Sequence, residues 1–96
     1  MAMIEKDRQG QCLIRGVIDY DSVVSLRHLG DQWIMQSKTP TMDFQYAHCL
    51  DSSGLALMIA WLRCAKRQKK RIHFVNVPLS LRSIAQACNV NKILGL

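Results

Sequence analysis

The segment from residue 41 to residue 77 constrains the fold most, because two strand patterns flank one long helical pattern. Residues 41–49 alternate apolar and polar side chains, as a strand does. Across residues 54–70 the apolar side chains recur at the helical period, and they are Leu55, Met58, Ile59, Leu62 and Ala65. Residues 72–77 have the composition of a buried strand. Such a strand–helix–strand unit makes a right-handed parallel crossover and predicts an α/β fold.

The flanking segments complete a mixed sheet. Residues 3–8 and 12–18 are predicted strands, and Gly10 between them suits the turn of an antiparallel hairpin. A helix is predicted up to about residue 36, capped by Asp21 or Ser22. A further helix of about ten residues follows residue 78, and Asn89 is its predicted left-handed stop.

Length and composition indicate one small domain over residues 1–96. Of its 96 residues 49% are hydrophobic, enough for a single core. The longest apolar stretch, residues 55–62, is too short to cross a bilayer, and residues 1–8 do not resemble a signal peptide, so we expect a cytoplasmic protein. The four cysteines form no C-x-x-C pair and the three histidines are scattered, so no metal site and no cofactor is predicted.

Charge is distributed unevenly along the chain. All seven acidic residues lie within residues 1–51, and six of the eight later basic residues fall within residues 63–71. Such a run can attract nucleic acid, anionic lipid or an acidic protein face, or it can complement the negative end of a helix dipole. No aromatic residue interrupts the run, which argues against single-stranded nucleic acid, and no nucleic-acid partner is expected.

The sequence Asp51-Ser52-Ser53-Gly54 places an acid and two hydroxyls between a strand and the start of the longest helix. These side chains either cap free N–H groups of the helix or carry function at its positive pole. A phosphate on either serine is favoured there by the dipole. The G-x-S-x-G elbow of serine hydrolases is absent, so an enzyme is not expected.

The side of this helix that opposes the apolar stripe is predicted to face outward. It carries Ala56, Ala60, Arg63, Cys64 and Arg67, with Leu57 at its margin. Small residues on an outward face allow close approach by another chain. Trp61 lies near the edge of the apolar stripe, where an interface role and a core role both stay open.

At these residues the sequence resembles the STAS domain family. Leu50-Asp51-Ser52-Ser53-Gly54-Leu55 matches the family signature, and the likeness extends over residues 17–94. The resemblance implies a mixed four- to five-stranded sheet with three to four helices packed on it. Residues 54–57, 65–68 and 83–90 are more similar to the MlaB-like branch than to the anti-sigma-factor antagonists.

The MlaB-like resemblance implies a non-catalytic cytoplasmic subunit of a phospholipid-transport ABC system that maintains outer-membrane lipid asymmetry. Such a subunit binds and supports the transporter ATPase, and it meets the inner membrane only through that complex. The expected partner-binding residues are Asp51, Ser52, Ser53, Leu57, Ala60 and Arg63. The alternative is an anti-sigma-factor antagonist bound by an anti-sigma kinase, with phosphorylation at Ser53 or at Ser52.

Overall fold

Two parallel strands form the centre of the sheet. In the computed structural model, which describes residues 2–49 and 51–96, β2 (Cys12–Ile18) pairs with β3 (Thr41–Cys49). On either side, β1 (Ala2–Lys6) pairs antiparallel with β2, and β4 (His73–Val75) pairs parallel with β3. Within the described residues the sheet has four strands in the order β1-β2-β3-β4, which confirms the predicted mixed sheet.

The described residues form three helices, α1 (Val23–Gln36), α2 (Ser53–Arg67) and α3 (Leu79–Ala87). The rings of Phe44 on β3 and Trp61 on α2 lie 6.3 Å apart, and those of Phe44 and Phe74 on β4 lie 6.2 Å apart. This aromatic cluster joins the sheet to α2. Strand alternation places other side chains on the opposite face, where the exposed Arg15 pairs with Glu5 and stacks on the Tyr46 ring.

Helices α1 and α2 approach each other closely at Gly30. A Cβ added to Gly30 would lie 2.2 Å from the Trp61 indole ring, so only glycine allows this crossing. The Trp61 Nε1–H donates to the carbonyl of Arg27 at 3.2 Å, and Trp61 is completely buried. Trp61 therefore belongs to the core, and the interface role left open by the sequence is excluded.

Residues in the left-handed region end two of the helices. Helix α2 ends at residue 67 rather than at the predicted residue 70, because Lys69 adopts φ +57°. Lys70 then turns towards the C-terminal end of α1, where its Nζ donates to the carbonyls of Ile34 and Met35 at 2.8 and 2.7 Å. Asn89 has φ +59°, which confirms the predicted stop after α3. None of the helices in the described ranges has the length and hydrophobicity of a membrane span.

Candidate functional site

The carboxyl ends of β2 and β3 lie side by side, and an aspartate follows each strand. Ile18 is opposite Cys49 in the parallel register, so the segments that begin with Asp19 and Asp51 leave the sheet at the same edge. The Asp19 Oδ1 accepts hydrogen bonds from two backbone N–H groups, at 3.0 and 2.9 Å, just before α1. The sequence predicted Asp21 or Ser22 in this role. Ser22 occupies the N-cap position of α1 but makes no side-chain cap hydrogen bond.

Asp51 holds the start of α2 in the same way. Its Oδ1 accepts the backbone N–H of Ser53 at 2.8 Å. Ser52 is the N-cap residue by position, yet its hydroxyl makes no cap hydrogen bond. The motif was predicted either to cap the helix or to carry function. Asp51 is the residue that caps the helix, and neither serine hydroxyl makes a cap hydrogen bond.

Ser52 is exposed beside Tyr20. The two hydroxyl oxygens lie 3.5 Å apart, at the limit of a hydrogen bond, and Tyr20 is 68% exposed. Tyr20 was not among the site residues predicted from the sequence. The signal was present, because Tyr20 follows Asp19 just as Ser52 follows Asp51, and parallel strands bring equivalent positions together.

Ser53, in contrast, is only 2% exposed. Its Oγ is buried and has no hydrogen-bond partner in the structure. A partner or a kinase cannot reach this oxygen unless the first turn of α2 opens. Gly54 lies directly behind it, and a Cβ there would lie 3.0 Å from the Cys49 sulfur, so the turn has little space for larger side chains.

One face of α2 forms a line of accessible residues that starts at Ser52. We call this line the α2 stripe, and it consists of Ser52, Ala56, Ala60, Arg63 and Arg67. Ala60 is half-buried and the other members are exposed. The α2 stripe has the spacing of one helical face. It therefore confirms the outward position predicted for Ala56, Ala60, Arg63 and Arg67.

Two residues predicted for this outward face lie in the interior. Leu57 is 1% exposed and Cys64 is 4% exposed, so both predictions were wrong. The reason is that α2 packs against α1 as well as against the sheet, which widens its buried sector beyond one apolar stripe. Leu57 supports the α2 stripe from beneath and cannot contact a partner directly.

The charge along the α2 stripe changes from acidic to basic. Asp51 stands at its N-terminal end, and Arg63 and Arg67 lie towards the other end, roughly 20 Å away at 1.5 Å per residue.

Two cysteine thiols lie near these charged residues. Burial, together with the nearby Asp51 carboxylate, raises the pKa of the Cys49 thiol. Burial and the Asp31 carboxylate also raise the pKa of Cys64, against the opposing effect of Arg67. Both thiols are protonated at neutral pH and unsuited to nucleophilic chemistry.

The described residues contain no group of three or more histidine, cysteine or carboxylate side chains arranged to hold a metal ion. The first residue of the quoted motif, Leu50, lies outside the described residues. What the geometry brings together is Tyr20, Asp51 and Ser52 at one edge of the sheet, continuous with the α2 stripe. Such an arrangement offers hydroxyls, small side chains and charge to another protein.

Comparison with known proteins shows the family of this fold. The family model described as "Mlab, STAS domain" matches residues 2–95. The chain belongs to the STAS domain family. Among solved structures, the anti-sigma factor antagonist SpoIIAA in its unphosphorylated form is similar, with TM-score 0.70 and 19% identity over 100% of this chain and 98% of that chain.

The Bacillus cell fate determinant SpoIIAA in its phosphorylated form is also similar. It has TM-score 0.69 and 22% identity, covering 96% of this chain and 86% of that chain. At these identities the likeness supports the fold alone. No curated protein matched the sequence. The predicted STAS fold is thus confirmed, and the likeness to anti-sigma-factor antagonists is a likeness of fold.

Proposed function

We propose that this STAS domain is a non-catalytic cytoplasmic subunit that binds and supports the ATPase of a phospholipid-transport ABC transporter. Its docking surface is the α2 stripe together with Asp51 and Tyr20. The observation that carries the proposal is the exposed Ser52 hydroxyl, which makes no cap hydrogen bond and lies 3.5 Å from the Tyr20 hydroxyl. The MlaB description of the matching family model supports the choice of partner.

The α2 stripe suits a protein partner on physical grounds. Ala56 and Ala60 are small, so a partner helix or loop can approach the backbone of α2 closely. Tyr20 is 68% exposed beside Ser52, so its ring can pack against a partner that covers the Ser52 hydroxyl. Arg63 provides a charged contact at the far end, where it can select an acidic partner residue.

The test uses tagged protein purified from its native cells. The wild-type chain is expected to co-purify with an ATP-binding-cassette subunit, and the Ser52→Glu variant is expected to lose it. Ser83→Glu on α3 is the matched control, since it adds the same charge at another exposed serine. The proposal fails if a sigma-regulating kinase alone is recovered, or if both variants retain the ATPase equally.

The second candidate is a partner-switching antagonist of an anti-sigma factor. The serine pair and the similarity to SpoIIAA in both phosphorylation states favour it. The buried Ser53 hydroxyl requires the start of α2 to open before phosphorylation, whereas Ser52 is accessible as it stands. Phosphopeptide mapping across growth conditions tests this candidate, and unmodified Ser52 and Ser53 in all of them would contradict it.

A further inference from the structure

A groove separates the C-terminal half of α2 from the turn that ends the chain. Its volume is about 310 Å³. Five of the residues that line it are aliphatic, namely Ile59, Leu62, Val90, Ile93 and Leu94. The sequence predicted Ile59 and Leu62 for the core, but the structure leaves both half-buried at this groove. Ile93 is 60% exposed at its edge, so apolar surface remains in contact with water.

The two remaining residues that line the groove are cationic. They are Arg63 and Lys66, and both are exposed. Neither forms a salt bridge within residues 2–49 and 51–96, where the ion pair found joins Arg15 to Glu5. The chain has no acidic side chain after Asp51, so no Asp or Glu in this half of the molecule neutralises them. The groove therefore combines an aliphatic lining with uncompensated positive charge.

We propose that this groove binds a single-chain anionic amphiphile, with its aliphatic chain along the lining and its headgroup paired with Arg63 and Lys66. Charge complementarity selects an anionic headgroup. The volume lies at the lower end of small-molecule sites, about 300 to 1,000 Å³. This inference goes beyond the docking role of the α2 stripe, and its failure would leave that role untouched.

The first experiment is a titration of the whole chain with dodecanoate below its micellar concentration, followed by NMR chemical shifts. Shifts are expected at the lining residues. Decanoate is two methylenes shorter. It is expected to bind at least about fourfold more weakly, because burial of even one methylene changes affinity by about that factor. Dodecyltrimethylammonium has the same chain length and the opposite charge, and is expected to bind at least tenfold more weakly. Equal binding of both amphiphiles would overturn the proposal.

Variants then separate the groove from the general positive charge. Lys66→Glu is expected to weaken dodecanoate binding about tenfold or more. Lys69→Glu makes the same charge change in the same basic run, does not line the groove, and is expected to have little effect. Ile93→Gln is expected to weaken binding several-fold, whereas Leu79→Gln, at a residue 78% exposed elsewhere, is not.

Three further outcomes would also overturn the proposal. Equal losses in Lys66→Glu and Lys69→Glu would show diffuse attraction without a site. Binding to phosphatidylglycerol vesicles without binding to monomeric dodecanoate would assign the surface to a bilayer, and displacement of dodecanoate by polyglutamate would assign it to an acidic protein segment.

Discussion

Replacement of Gly30 by alanine tests the contact that places α1 against α2. In most exposed helix positions this change stabilises, because alanine exceeds glycine in helix propensity by about 1 kcal/mol. Here the new Cβ would lie 2.2 Å from the Trp61 ring, where carbon atoms in contact are normally about 3.5 to 4.0 Å apart. Either α1 must move outwards or the Trp61 indole must rotate. Gly30 and Trp61 are both buried, so neither movement has free space.

The expected change in the free energy of unfolding has three contributions. Overpacking of a core costs up to about 3 kcal/mol. Loss of the hydrogen bond from Trp61 Nε1 to the Arg27 carbonyl adds about 1 kcal/mol, and the propensity gain returns about 1 kcal/mol. We therefore expect Gly30→Ala to lower the free energy of unfolding by about 3 kcal/mol, a fall in Tm of about 12 to 24 °C for a domain of this size.

Urea denaturation followed by circular dichroism measures this change. The matched control is Ser25→Ala on the exposed side of α1, which is expected to change stability by less than about 0.5 kcal/mol. A double variant, Gly30→Ala with Trp61→Leu, should cost less than the sum of the single changes, because the smaller side chain relieves the overlap. A Gly30→Ala protein as stable as the wild type would refute the close approach of the helices.

Three other changes test individual polar side chains. Ser53→Ala is expected to raise the free energy of unfolding by about 1 kcal/mol in urea denaturation, because the Oγ is buried without a partner, while Ser52→Ala at the exposed neighbour should be neutral. Lys70→Met should lower the free energy of unfolding by about 2 kcal/mol, because it removes two charged hydrogen bonds to the end of α1. Lys66→Met is the control and should be neutral, and equal effects of the two changes would contradict this. Burial, with a smaller contribution from a nearby aspartate, raises the pKa of the Cys12 thiol from 9.0 to about 12. As the pH rises, the Cys12 thiol therefore ionises in the unfolded state before it does so in the folded state. The free energy of unfolding of the wild type, measured relative to that of Cys12→Ala, should stay level below pH 9. Between pH 9 and about 12 it should fall by up to about 1.4 kcal/mol per pH unit.

Much of the architecture was predictable from local patterns. The strands, the helices and the left-handed stop at Asn89 follow from periodicity and turn chemistry, which act over a few residues. The position of Asp51 between strand and helix also predicted where the candidate site lies. The roles within the motif were not predictable, because capping by Asp51, exposure of Ser52 and burial of Ser53 depend on how the turn leaves the sheet.

The sequence by itself determined the order of elements, the mixed sheet and the uneven charge, since each depends on residue types and their spacing along the chain. Only the tertiary structure decided which side of α2 is covered, because α1 packs on α2 where Gly30 meets Trp61. Leu57 and Cys64 are buried as well, beyond the single apolar stripe. The same packing and the parallel register bring Tyr20 next to Ser52, 32 residues away in sequence. The direction in which α1 and α2 pack against each other depends on contacts across the whole fold, and no local pattern encodes that direction.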